Sequence, residues 1–297
     1  MQILDETIDF KSWYEDNRPA QFLRTGADAI FDLKRSLAQV STTPKVLMPW
    51  PKMAEDFEFR RQEVTVYAGQ NGSGKSLMTG QIALSLMAQN EKVCIASFEM
   101  RPSRSVHRMV RQYSRHPITH DFEGLENFTK DKLWFYDHQG QIDAKVIIGV
   151  GRYVSQKLGV KHLFIDSLMK CVRAEDDYNG QKAFIEDITS LARFEDMHIH
   201  LVHHIRKSSS DDNVPDKMSL KGSGSITDQV DNVFIFYRNK KKERAVEAGQ
   251  SVDPREHDAL LMCEKQRNGE QESAYRLYFH KPSHQFLEVY DGIPHRF

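Results

Sequence analysis

The chain is poor in cysteine. Cys94, Cys171 and Cys263 are the only three in 297 residues, far apart and without CxxC spacing. Such a set argues against a disulfide frame or a zinc knuckle and suits reduced thiols. There is no run of about 18 consecutive apolar residues, so no membrane span is expected. There is no excess of charge either, since Lys plus Arg is 41, Asp plus Glu is 42 and the net charge is −1. That balance argues against holding nucleic acid by bulk positive charge, and leaves room for a local basic channel. The opening residues MQILDETIDF carry three acids and no basic stretch before an apolar run. A secretory signal would need one, so the expected location is the cytoplasm. Gly-Ser linkers, low-complexity tracts and internal repeats are also missing. With 39% hydrophobic residues the chain is too apolar to be disordered throughout, and its length allows one large core or two small ones.

Two regions separate by pattern. In residues 1–45, Leu23, Ala27, Ile30, Phe31 and Leu37 recur at helical spacing with Asp32, Lys34 and Arg35 between them. Ser41 to Pro44 ends that helix, and Pro49 and Pro51 are expected to keep the next segment extended. An amphipathic helix must bury its apolar face, on its own domain or on a neighbouring subunit. In residues 46–297, short β-rich runs alternate with helical ones, beginning at Val64–Ala68 and ending in Leu260–Met262, Tyr275–Tyr278 and Phe286–Val289. This βαβα order predicts an α/β fold with a mainly parallel sheet, closed by antiparallel hairpins at one edge.

Gly69, Gln70, Asn71, Gly72, Ser73, Gly74, Lys75 and Ser76 match GxxxxGK[ST] between an apolar strand and an apolar helix. The chemistry requires that context. Glycines let backbone N–H groups curl around a phosphate, and the helix N-terminus adds partial positive charge. Lys75 is placed to reach the β- and γ-phosphates and Ser76 to hold Mg²⁺, so ATP or another NTP or dNTP is the expected ligand. Asp166 ends the apolar strand Leu163–Ile165, where a carboxylate orients the Mg²⁺ shell. Glu99 ends the strand after the P-loop helix, where a carboxylate can activate the attacking water. The cluster His198, His200, His203 and His204 lacks carboxylate or cysteine partners at ligand spacing, which favours structural histidines over zinc ligands.

Ser97-Phe98-Glu99-Met100 resembles the SLEM motif of DnaB-like replicative helicases, the RecA-type hexameric family that includes Twinkle and the helicase half of phage primase-helicases. Asp166 stands at the family's Walker B position. His203-His204-Ile205-Arg206-Lys207 resembles the motif whose His or Gln senses the γ-phosphate, and strand alternation and spacing place that role on His204, with His203 as the alternative. Lys221-Gly222-Ser223-Gly224-Ser225 resembles the DNA-binding motif, as does Phe236-Tyr237-Arg238. Lys265-Gln266-Arg267-Asn268-Gly269 is similar to the KQRNG that carries the arginine finger. The resemblance spans about residues 45–297. It departs at Phe98, and at Gly222 where bacterial members often have Glu.

The resemblance implies a RecA-like ATPase core whose site lies between subunits. Lys75, Ser76, Glu99 and Asp166 would come from one protomer, and Arg267 with Lys265 from its neighbour. It implies a homo-oligomer, a hexamer in the family, with the N-terminal helix docked on the next subunit. It further implies single-stranded DNA held by Lys221, Gly222, Ser223 and Gly224, 5′ to 3′ movement, and a primase, polymerase or loader as partner. The first 45 residues have no room for a primase or a helical collar, an arrangement suited to a phage or mobile element. The acidic loop 207–218 and the basic run from Arg238 to Arg244 are weaker candidates for DNA contact. Two other functions fit the P-loop: a RecA- or RadA-like recombination ATPase, and a non-translocating ATP-gated scaffold or loader.

Overall fold

A computed structural model describes residues 44–174, 177–205, 214–215 and 223–297, together with positions 2, 3, 9, 11, 12, 26, 27, 30, 31, 33 and 34. Among the described residues a ten-stranded sheet runs in the order β1-β4-β3-β5-β6-β2-β7-β8-β9-β10. Its members are β1 (Gln2–Ile3), β2 (Val64–Gly69), β3 (Val93–Ser97), β4 (Leu133–Tyr136) and β5 (His162–Asp166). The rest are β6 (His198–His204), β7 (Asn232–Arg238), β8 (Ala259–Gln266), β9 (Ala274–His280) and β10 (Gln285–Leu287). Strands β1 to β7 pair in parallel, and β8, β9 and β10 add antiparallel neighbours. The parallel strands β2, β3 and β5 are buried along their whole length, as sheets covered on both faces require.

One face carries α2 (Lys75–Ala88), α3 (Pro102–Ser114) and α4 (Phe122–Thr129), packed with Met78, Ile82, Phe135 and Phe234. The other carries α5 (Ala144–Leu158), α6 (Tyr178–Phe194) and α7 (Ser223–Gln229), packed with Val66, Leu163, Ile188 and Ile226. Asp121, Asp143 and Asp177 cap α4, α5 and α6, each accepting a backbone N–H in the first turn.

The segment after Pro49 is not extended. Pro51 opens a short helix, α1 (Pro51–Asp56). At a helix's first position the missing proline N–H costs nothing, and its fixed φ suits the turn. Trp50, fully buried, precedes α1 and donates from Nε1 to the Phe286 carbonyl at 2.8 Å, tying the entry segment to β10. In the N-terminal arm, Ala27, Ile30 and Phe31 are helical, with Ile30 and Phe31 exposed, while Leu23 and Leu37 lie outside the described residues. The basic run after Arg238 forms a separate helix, α8 (Lys240–Glu247), capped by Asn239. Arg238 pairs with Glu243, and Lys242 with Asp258 at 2.8 Å. Those pairs suit a solvated structural helix better than a DNA track. The loop 207–218 lies outside the described residues except for Val214 and Pro215.

Candidate active site

Strand register assembles the site. Ser97 pairs with Asp166, Asp166 with Val202, and Gly69 with His204, so the carboxyl ends of β2, β3, β5 and β6 meet at one edge of the sheet. The P-loop leaves β2 there, in the usual place for a ligand in an open parallel sheet. A cleft of about 600 Å³ opens at this edge, lined by Asn71, Gly72, Gly74, Lys75, Ser76 and Glu99 on one side. Asp166, Lys170, His204, Arg108, Arg238 and His284 also line it, with Leu77 and Met169.

Two glycines are demanded by the backbone. Gly74 precedes α2 at φ 102°, a left-handed conformation that side chains with a Cβ avoid. A Cβ at Gly69 would stand 2.6 Å from the Phe236 carbonyl oxygen.

Lys75 Nζ donates to the Gly69 and Gln70 carbonyls, both at 2.8 Å. Burial lowers its pKa to about 8, against the pull of Asp166 and Glu99. An ammonium held on two loop carbonyls is poised to transfer to a phosphate.

Ser76 Oγ donates to Asp166 Oδ2 at 2.8 Å. Burial raises the Asp166 pKa, with Glu99 adding to the rise and Ser76 and Lys75 opposing it. A hydroxyl and a carboxylate so close, facing the P-loop cleft, form the hard oxygen donor set that Mg²⁺ takes together with water and phosphate oxygens. The residues present therefore fit the metal.

Glu99 Oε1 accepts from Ser167 Oγ at 3.0 Å and faces His204 Nε2 at 3.5 Å. His204 leads the groups that hold the Glu99 pKa down to about 2, Ser167 assisting against desolvation. Glu99 is therefore ionised, and Oε2 has no hydrogen-bond partner among the described residues. His203, one residue earlier, is fully buried, so alternation gives the cleft to His204.

Arg267 is elsewhere. Because β8 runs antiparallel to β7, the KQRNG turn falls at the opposite edge of the sheet from the P-loop. Arg267 N donates to Asp231 O, and Asp231 N to Val64 O at the start of β2. Gly69 lies five residues further along, about 17 Å at strand rise. The Arg267 guanidinium pairs with Asp231 at 3.0 Å and donates to the Asp228 carbonyl at 3.0 Å. Lys265 Nζ donates to the Thr227 and Val230 carbonyls, at 2.6 and 2.8 Å. Both cations thus cap the C-terminus of α7 within their own protomer.

Of the proposed DNA contacts, Ser223 and Gly224 open α7, while Lys221 and Gly222 lie outside the described residues. His198 and His200 are buried and occupied: His198 bonds Thr65 Oγ1 at 2.8 Å and Arg60 O at 2.6 Å. His200 Nε2 meets His162 Nδ1 at 3.1 Å and its ring stacks on Phe164. Sequence reasoning missed Arg108, Lys170 and His284 as cleft residues. The signal available for Arg108 was the recurrence of arginine every three or four residues after Glu99.

A family model described as the DnaB-like helicase C-terminal domain matches residues 57–288. This chain belongs to that family. It is an ATP-hydrolysing helicase domain, and DNA replication is the process in which its family works. Among solved structures it is similar to an ATPase domain, with a TM-score of 0.73 at 16% identity, covering 90% of this chain and 100% of that one. It is also similar to a DnaB-like replicative helicase whose structure describes its interactions with primase. There the TM-score is 0.72 at 16% identity, covering 90% of this chain and 67% of that one. At such identity the likeness to these two structures is one of fold. Among the described residues, no helix is long and apolar enough to cross a membrane.

Proposed function

We propose that this DnaB-like domain is the motor of a ring-shaped replicative helicase, a homohexamer that moves 5′ to 3′ on single-stranded DNA and unwinds duplex. The observation that carries this reading is the separation of Arg267 from its own P-loop. A cation at the far edge of the sheet can act on a triphosphate only in another subunit, and a head-to-tail contact that closes makes a ring.

In this mechanism the P-loop amides and Lys75 hold the β- and γ-phosphates, and Lys75 exchanges two carbonyls for phosphate oxygens. Ser76 and Asp166 would hold Mg²⁺, which would supply positive charge against the triphosphate. Glu99, fixed by Ser167 and His204 on one oxygen, presents the other to a water and takes its proton. Arg267 of the next protomer neutralises charge on the transferring phosphoryl. The exposed Ile30 and Phe31 suit an N-terminal helix docked on a neighbour. Lys221 and the backbone of residues 222–224 would hold DNA phosphates without reading sequence. A primase, polymerase or loader is the corresponding partner class, and the cytoplasm the corresponding location.

The test is unwinding of a forked duplex with particle mass measured with and without ATP. A hexamer that unwinds supports the reading. Strand pairing without unwinding would replace it with a recombination ATPase, and turnover indifferent to DNA with a scaffold or loader.

A further inference from the structure

Between Glu99 and Asp121 the chain has no acidic residue and five arginines, Arg101, Arg104, Arg108, Arg111 and Arg115, spaced three or four apart. That spacing puts Arg104, Arg108 and Arg111 along one side of α3, with Arg101 and Arg115 at its two ends. The side chains of Arg101, Arg104, Arg108 and Arg115 form no hydrogen bond or ion pair among the described residues, and Arg111 reaches only the carbonyls of Lys281 and Pro282. The row starts at the nucleotide cleft. Arg101 and Arg104 line a depression of about 470 Å³ with Glu99 and Gln139, and Arg108 lines the cleft itself.

Three acidic side chains lie at the opposite edge. Glu264, Glu270 and Glu272 flank the turn that carries Arg267, and none has an ion pair or hydrogen bond from its side chain among the described residues. Glu270 and Glu272 are exposed. Within one protomer the two groups cannot meet, because the sheet separates its carboxyl edge from the turn after β8.

We propose that Arg101, Arg104 and Arg108 receive Glu270 and Glu272 of the next copy of this chain, as a charge-complementary rim around the incoming Arg267. This rests on the reading that Arg267 acts between subunits. Wherever Arg267 goes, residues three and five positions later must lie within about 10–17 Å of it, from the reach of an extended chain. The rim also answers an electrostatic difficulty. Before nucleotide binds, Arg267 approaches a cleft whose lining carries four cations, Lys75, Lys170, Arg108 and Arg238, against two carboxylates, Glu99 and Asp166. Acids on the same turn offset that repulsion and fix the direction in which two copies join.

The test is a charge-reversal cycle on the full chain, read as the protein concentration at half-assembly in the presence of a slowly hydrolysed nucleotide. Arg101→Glu with Arg104→Glu raises that concentration at least tenfold, and so does Glu270→Arg with Glu272→Arg. Combining the four restores assembly to within about threefold of wild type. Melting temperature checks folding, and Arg104→Gln gives a milder variant that moves assembly in the same direction. Unchanged assembly in both reversed variants, or no recovery on combination, overturns the proposal. Weakened binding of forked DNA with assembly intact also overturns it, by giving the row to nucleic acid.

A parallel mixture of Lys75→Ala and Arg267→Ala protomers separates this from the shared-site reading. Random assembly pairs an intact P-loop with an intact finger at about a quarter of interfaces, so turnover returns if the site is shared. If turnover returns while the charge cycle shows nothing, the rim alone is wrong. If it does not return, the shared site and the rim both fall.

Discussion

His204 Nε2 faces Glu99 Oε1 across 3.5 Å, and Ser167 Oγ donates to that same oxygen at 3.0 Å. One carboxylate oxygen is committed and the other is left for water. Glu99→Gln should keep nucleotide binding and lower turnover by about 10²–10⁴-fold, the usual range for a general base. His204→Ala should do less to turnover and should raise the Glu99 pKa from about 2 toward the ordinary carboxylate value. A pH–rate profile between 3 and 6, with folding checked at each pH, reads both effects. A Glu99→Gln enzyme with wild-type turnover would remove Glu99 from the reaction.

Burial sets the Lys75 pKa near 8 before nucleotide arrives. A triphosphate favours the ammonium, so binding above pH 8 must take up a proton. The dissociation constant should therefore be flat below about pH 8 and weaken tenfold per unit above it, as for one linked proton. Titration of a fluorescent nucleotide from pH 7 to 9.5 checks this, with Lys75→Ala as the control that shows weak, flat binding.

Arg267→Ala should bind nucleotide as well as wild type and lose turnover by about 10³–10⁵-fold, the range for arginine fingers. Arg267 also pairs with Asp231, so Arg267→Lys is the useful second variant, retaining a cation to cap α7. Normal hydrolysis by Arg267→Ala would remove the finger from the site.

His162, His198 and His200 are buried at the amino end of β5 and β6, and burial lowers the pKa of each, that of His198 to about 3. In the unfolded chain they titrate near 6.5. The unfolded state therefore binds more protons below that value, and stability is held above pH 6.5 and lost as pH falls toward the folded values. The loss should be on the order of 1 kcal/mol per pH unit for each of His198 and His200, whose values fall furthest, and smaller for His162. Urea unfolding at pH 7, 6 and 5 measures it, and a flat profile would contradict neutral burial.

Much of this is legible in the sequence, because its signals are local. The P-loop is a contiguous phosphate cradle, and buried parallel strands read as apolar runs such as Leu163–Ile165. Glu99 and Asp166 end such runs, so their meeting at one edge follows from the topology. Less can be read where chain direction or context decides. Pro51 reads as a helix breaker, although at the first helical position it is a starter. α8 is hidden in a charge run, since it has no buried residue to impose an apolar period. Arg108 cannot be placed in the cleft without knowing that α3 packs beside α2. The edge of the sheet that Arg267 occupies depends on β8 reversing direction, which pairing decides and local sequence does not.

Lys265 and Arg267 grip the C-terminal carbonyls of α7, and the N-terminus of α7 begins within the motif assigned to DNA. Seven residues of helix are about 10 Å of stiff rod. A pull on the strand at one end and the loss of a phosphate from the neighbour at the other would then load the same rod.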